Sequence, residues 1–268
     1  MTRRRGQGSA SVRTVRLATW NVLNGASPAD GRVDVPRLRQ AARSLRADVL
    51  AVQEVDRGQP RSHGHDLVAE LAEGTGAAAW RFAPALVGTP GGRWRPAAPA
   101  DDADEPVAYG VGLVSAHPVR AWHVLRMPAA RVRSPIVLPG TRQVGWRQDE
   151  PRAALAAVVD GPYGPMTLAS THLSFVPGWN AVQLRRLTRW LGRLPGPRVL
   201  LGDLNMPPLV AGPVSGWRVL GRLPTYPAPD PRVQLDHVLG SGPLPAVREV
   251  STPVLDVSDH RPLVVELA

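Results

Sequence analysis

Short apolar runs recur from one end of this chain to the other, and most stop at a Gly, a Pro or a polar side chain. They are Val15–Trp20, Val49–Val52, Val111–Val114, Ala153–Val159, Met166–Ser170, Val199–Leu201, Leu235–Leu239 and Leu263–Leu267. Runs this short, bounded by turn formers, read as buried strands. Helical spacing appears between some of them. Asp34 is placed to cap a helix whose Leu38, Ala41, Ala42 and Leu45 share one face. A second helix begins near Asp66, turns Leu67, Val68 and Leu71 inward and has Gly74 as its stop. A third, from about Asn180, lines up Leu184, Leu187, Trp190, Leu191 and Leu194. Residues 84–106 and 126–151 break this rhythm with Pro, Gly, acids and Arg, and read as loops. The strand pattern resumes after each, and there is no internal repeat. We expect one domain over residues 15–268, preceded by a disordered basic arm at 1–14.

Composition removes several kinds of chemistry. With no Cys there is no disulfide, thiolate metal site or cysteine nucleophile. All 32 basic side chains are Arg, which excludes Schiff-base chemistry and a phosphate-binding P-loop lysine. The formal charge is +10, but Arg3, Arg4, Arg5, Arg13 and Arg16 precede Leu17 with no acid among them. A chain rich in Arg, Ala, Pro and Gly, with a single Ile, is also what a GC-rich coding sequence produces. The surplus therefore favours encounter with anionic molecules, phosphates included, without selecting one. No apolar run approaches the ~20 residues of a membrane span. Arg13 and Arg16 interrupt any signal-peptide apolar region, so the expected location is cytoplasmic, without stable membrane insertion.

Polar side chains gather where the expected strands end. Asn21 closes the first run, Glu54 the second, and His172 follows Leu168-Ala169-Ser170. Asp203 and Asn205 lie in Leu200-Leu201-Gly202-Asp203-Leu204-Asn205, Asp236 in Leu235-Asp236-His237, and Ser258-Asp259-His260 precedes the last run. Oxygen donors such as Glu54 and Asp259 suit Mg²⁺ or Mn²⁺. A further carboxylate and two histidines remain to move protons and stabilise charge. No Ser, Thr or Cys stands in a nucleophile setting, leaving water as the attacker. Each residue alone has an ordinary structural use, as Gly-Asp-x-Asn has in a turn. Together, each at a strand end, they describe metal-assisted phosphoester hydrolysis.

In this order the residues resemble the endonuclease/exonuclease/phosphatase superfamily, which includes deoxyribonuclease I, exonuclease III and the neutral sphingomyelinases. The matching stretches are Thr19-Trp20-Asn21, Gln53-Glu54, Glu150-Pro151-Arg152, Ser170-Thr171-His172-Leu173, Gly202-Asp203-Leu204-Asn205, Leu235-Asp236-His237 and Ser258-Asp259-His260. The resemblance implies an α/β fold, a two-sheet sandwich with helices packed on its outer faces, and a Mg²⁺ or Mn²⁺ cofactor. It implies Glu54 as principal metal ligand, with Asn21 and Asp259 close by. Asp203 would activate or orient water, with Asn205 positioning it. His260, oriented by Asp236, would contact the phosphate, and His172 would be the second histidine. Members differ over which histidine is the acid, so the pair is implied and not the roles. Tyr109 and Arg152 stand where members often contact phosphate or buttress the site. The superfamily's inositol 5-phosphatase branch needs a Trp-Cys-Asp-Arg stretch that a chain without Cys lacks. Asp56-Arg57-Gly58 to Arg61-Ser62 is similar to bacterial general members, and the nearby His63 and His65 have a metal-compatible spacing.

The leading expectation is a phosphodiesterase of nuclease type. Arg131, Arg133, Arg142 and Arg147 around Trp146 would follow a phosphate backbone, with the indole stacking on a base. The alternatives are a lipid or small-molecule phosphoester of sphingomyelin or phosphoinositide type, and a non-catalytic nucleic-acid-binding protein. The last would have lost a ligand or a histidine, and none is lost. A protein partner is not implied.

Overall fold

A computed structural model describes residues 14–102, 107–137 and 144–268. The strands in chain order are Val15–Asn21 (β1), Val49–Arg57 (β2), Ala79–Gly88 (β3), Trp94–Pro96 (β4), Ala108–Ser115 (β5), Val119–Met127 (β6), Arg133–Val137 (β7), Val144–Gln148 (β8), Arg152–Gly161 (β9), Gly164–His172 (β10), Arg198–Asp203 (β11), Arg218–Val219 (β12), Asp236–Ser241 (β13), Val247–Ser251 (β14) and Leu263–Leu267 (β15). The α-helices are Val35–Ser44 (α1), Leu67–Thr75 (α2), Trp179–Leu191 (α3) and Pro208–Ser215 (α4). One sheet runs β14-β15-β1-β2-β5-β3-β4, the other β12-β13-β11-β10-β9-β6, and β7 and β8 form a two-stranded sheet.

The apolar runs are continuous because each sheet is covered on both faces. Leu17, Ala51, Leu113, Leu155, Leu168 and Leu201 meet in a core between the sheets. The alternate residues of the first sheet, Ala18, Trp20, Leu50 and Val52, pack with Leu38 and Ala42 of α1 and Leu67, Val68 and Leu71 of α2. Those of the second, Ala154, Ala156, Ala169 and Leu200, pack with Leu184, Leu187 and Leu191 of α3 and Ala211 of α4. The result is the expected two-sheet α/β sandwich with helices on its outer faces.

Every expected apolar run lies in or overlaps a strand, and the first three helices stand where spacing put them, except that α3 stops at Leu191, short of the expected Leu194. Asp34 Oδ1 accepts the Arg37 N–H at 2.9 Å, and Asp66 Oδ1 accepts those of Val68 and Ala69 at 3.0 and 3.2 Å. The stop of α2 is corrected: Gly76, in the left-handed region at φ 68°, ends it. Gly74 instead lets α1 approach, because a Cβ there would lie 2.9 Å from Arg39 backbone atoms.

The two expected loops are corrected as well. β3 runs through Pro84, where the ladder to β5 slips, and pairs with β4 through Leu86–Gly88. Such a slip accommodates a residue with no N–H to donate. Within 126–151, β7 and β8 form a hairpin that the Pro135 and Arg content conceals. Residues 1–13 of the expected arm, and Arg142 of the expected basic cluster, lie outside the described residues. Among the described residues no helix is long and apolar enough to cross a membrane.

Candidate active site

Strand register assembles the site. β10 and β11 run parallel with His172 beside Asp203, and β11 and β13 run antiparallel with Asp203 beside Asp236. Three chemistry-bearing side chains thus stand on adjacent strands at one level. In the facing sheet, β1 and β2 run parallel with Asn21 beside Gln53, and Glu54 follows. Glu54 has φ 56°, and the pairing with β5 shifts between Gln53 and Val55. A non-glycine residue in this region costs about 1 kcal/mol or more, and the resulting bulge re-aims its side chain. Gln53 stays between the sheets, where Nε2 donates to Ser170 Oγ at 3.3 Å, and Val55 packs toward the helices. Glu54 is left facing the pocket, three residues before β2 ends at Arg57, so the strand runs past the expected end at Glu54.

One amide joins the two sheets' carboxylates. Asn21 Nδ2 donates to Glu54 Oε1 at 3.0 Å and to Asp203 Oδ2 at 3.1 Å, while its Oδ1 accepts the Leu23 N–H at 3.1 Å. Asn21 therefore faces the acids with its donor end. Asp203 Oδ1 accepts the Asn205 N–H at 2.9 Å. Asn205, at φ 50°, donates from Nδ2 to Leu173 O at 3.0 Å and to His172 Nε2 at 3.1 Å. His260 Nδ1 donates to Asp236 Oδ2 at 2.9 Å, and its Nε2 lies 3.9 Å from Asp203 Oδ2. Ser258 binds the two halves: Oγ donates to Asn21 O at 2.6 Å and accepts the His260 N–H at 3.1 Å.

These contacts set the charges. Burial works against the His260 cation, but Asp236, with Asp203 and Asp259, overcomes it and raises the imidazole to about 10. Burial and the neighbouring Asp236 charge raise Asp203 to about 7. His172 is pushed well below its ordinary range by burial, then by the Arg152 and His260 charges, so it is neutral. Its Nε2 accepts from Asn205, which puts any ring proton on Nδ1. Burial raises Glu54, Asn21 opposes this, and Asp259 adds to it.

Two groups could hold a cation. Asp203, Asp236 and His260 bring ligand atoms within 4.8 Å of one another. In the ion-free structure His260 Nδ1 is committed to Asp236, and its Nε2 could bind a cation only as a neutral imidazole. Glu54 and Asp259 are the better fit: two repelling carboxylates, one raised by burial, supply hard oxygens whose charge a divalent ion would offset.

Glu54, Tyr109, Arg152, His172, Asp203, Asn205, Asp259 and His260 all line one pocket of about 840 Å³. Asn21 and Asp236 stand behind them, almost wholly buried. Arg152 is nine-tenths buried, with NH2 3.3 Å from Asp149 Oδ1 and Nε unpartnered. Burial in this wall raises the Tyr109 hydroxyl well above its ordinary range. Arg133, Trp146 and Arg147 reach the pocket from the β7–β8 hairpin, whereas Arg131 is exposed and not part of its lining. Sequence reasoning missed Tyr226, whose ring centroid lies 4.9 Å from that of His260, and Trp94 and Phe175 in the lining. Nothing local marks them, since folding alone brings them in. His63 and His65 stay outside: His63 is exposed and His65 Nδ1 lies 2.8 Å from Glu70 Oε1.

A family model described as the endonuclease/exonuclease/phosphatase family matches residues 18–260. The chain belongs to this family. Membership of the endonuclease/exonuclease/phosphatase family indicates a phosphoester hydrolase. No curated protein matches the chain. Among solved structures, an endonuclease/exonuclease/phosphatase from Beutenbergia cavernae DSM 12333 is similar at TM-score 0.68 and 24% identity, over 95% of this chain and 71% of that one. A mannosyl-6-phosphatase from Bacteroides thetaiotaomicron VPI-5482 follows at 0.61 and 15%, over 95% and 99%. Sphingomyelinase C from Streptomyces griseocarneus is similar at 0.59 and 16%, again over 95% and 99%. At these identities the likeness is one of fold, and family members on this fold include nucleases and phosphatases.

Proposed function

We propose that this protein is a divalent-metal-dependent phosphodiesterase that cleaves nucleic acid by attack of water. The observation that carries the chemistry is the pairing, in one pocket, of Asp203 raised to about 7 with His260 raised to about 10. A carboxylate poised near neutrality is an effective general base, and a buried imidazolium is both a proton source and a counter-charge.

Asp203 accepts a proton from water as the water oxygen bonds to phosphorus and the bond to the leaving oxygen breaks. Asn205 and Asn21 hold the two Asp203 oxygens, fixing its direction. His260 balances the charge growing on the phosphoryl group and gives its proton to the leaving oxygen, and Asp236 keeps the ring oriented. His172, neutral, accepts from Asn205 and holds that amide in place. Arg152 brings a positive charge into the pocket wall that would balance phosphate charge, and Tyr109 shapes the wall beside it. Glu54 and Asp259 would hold Mg²⁺ or Mn²⁺, with Asn21 steadying Glu54 from beside it. When bound, the ion supplies Lewis-acid charge to the phosphate oxygens.

Nucleic acid is favoured by the pocket's outer wall, where Arg133 and Arg147 flank Trp146. The test is a hydrolysis panel with Mg²⁺ or Mn²⁺ on single-stranded and duplex DNA, RNA, a sugar phosphomonoester and sphingomyelin. The last two answer to the named activities of the structural neighbours. Turnover confined to either of them would overturn the nuclease reading.

A further inference from the structure

We infer that the β7–β8 hairpin forms a stacking subsite for an unpaired nucleobase next to the scissile phosphate, with Trp146 as its platform. The inference rests on the phosphodiesterase reading of the pocket floor. Strand alternation puts Trp146 and Gln148 on one face of β8, and register puts Arg133 opposite Gln148 and Pro135 opposite Trp146. Arg133, Trp146 and Gln148 all line the pocket, and Arg147, between the last two, lines it as well, so the indole stands at the pocket among polar and charged groups. The indole is 68% exposed, and among the described residues β7 and β8 pair with no other strand, so core packing does not account for the side chain. Trp94, from the β3–β4 hairpin, lines the same pocket.

A volume of about 840 Å³ exceeds what a phosphate fills and leaves room for the groups it joins. An indole offers a flat apolar face, Gln148 an amide donor and acceptor, and Arg133 and Arg147 positive charge. The group that uses all three is a planar heterocycle carrying polar edges beside a phosphate. A base inside a duplex has both faces stacked and its edge paired, so the ligand is single-stranded. A lipid surface fits less well, because the lining beside the indole, Arg133, Arg147 and Gln148, is charged or polar and not apolar.

The probes are a fluorescent single-stranded DNA octamer and an octamer of the same length whose nucleotides are all abasic. Both are measured by anisotropy and, with Mg²⁺, by kcat/KM. The expected result is that the base-containing octamer binds and reacts about tenfold better or more, since stacking on an aromatic side chain commonly contributes about that factor. Trp146→Ala should bring the ratio to within about twofold and Trp146→Phe should keep most of it. Circular dichroism of both variants checks the fold. Equal treatment of the two octamers by the unaltered protein would overturn the subsite while leaving the phosphodiesterase intact. Base-dependent binding without cleavage of either would support the subsite and overturn the proposed activity. Loss of sphingomyelin-vesicle binding in Trp146→Ala, with the octamer ratio unchanged, would overturn the subsite in favour of a lipid contact.

Discussion

Asp203 and His260 belong to one proton-handling unit, and residues that act as a unit lose rate non-additively. Asp203→Asn and His260→Ala should each lower kcat by about 10²- to 10⁴-fold, and the double variant should be little worse than the poorer single. Asp236→Asn should cost less, because its part is to hold the ring. Thermal melts accompany the kinetics, and a folded Asp203→Asn protein at full rate would remove Asp203 from the mechanism. Glu54→Gln should weaken Mn²⁺ binding with little change in melting temperature, read by calorimetric titration, since a neutral amide gives up the charge that holds a hard cation. Equal affinity would move the metal elsewhere. His172 makes a statement about pH. Its folded pKa lies well below the ordinary 6.5, so between those values the unfolded chain takes up a proton that the folded one refuses. The stability it contributes is full above about 6.5 and is lost as pH falls below that. His172→Gln should therefore show a smaller drop in urea stability between pH 7.5 and 5.5, and identical drops would mean that His172 is not held neutral. The residues proposed for catalysis are legible in the sequence because each lies in or next to a short apolar run, as Asp203 does at the end of β11 and Asp236 at the start of β13. Ser258 was visible only as part of a motif. Tyr226 was invisible, because its place beside His260 depends on a loop path that no local pattern encodes.

At the scale of elements, legibility followed burial. β1, β2, β5, β9, β10, β11, β13 and β15 are covered on both faces and read as apolar runs. β6, β7, β8 and β14 are half-covered, edge or isolated strands with mixed sequences, so their periodicity is weak. That is why the pocket floor is legible in the sequence and its outer wall reads as a loop. The floor also depends on close strand approach. Gly202 sits beside Thr171 in the β10–β11 ladder, and a Cβ there would meet the Thr171 carbonyl oxygen at 2.1 Å. Backbone has to move to relieve such a clash, at a typical cost of about 1–3 kcal/mol. The strands that would part carry His172 and Asp203. Gly202→Ala should therefore lower both the melting temperature and kcat. A melting temperature and activity equal to those of the unaltered protein would show that the ladder yields without cost.

For the whole molecule, the question is whether its formal +10 charge or the local placement of arginines attracts an anionic polymer. A diffuse surplus would make every exposed Arg roughly equivalent. The pocket argues for placement: Arg133 and Arg147 line its outer wall, whereas Arg185 and Arg186 are exposed on α3, on the far side of the second sheet from the interior core. Each phosphate neutralised on a single strand contributes a slope of about −0.7 to log K against log salt. If Arg133 and Arg147 each meet one phosphate, Arg133→Gln with Arg147→Gln should make the slope for a single-stranded octamer shallower by about 1.4. Arg185→Gln with Arg186→Gln removes the same net charge and should leave the slope within about 0.3 of the unaltered value, well below one phosphate contact. Anisotropy titrations across a range of NaCl concentrations read both. Equal flattening by the two pairs would mean that the surplus acts as a diffuse field, and the outer wall would lose its claim to follow the substrate backbone.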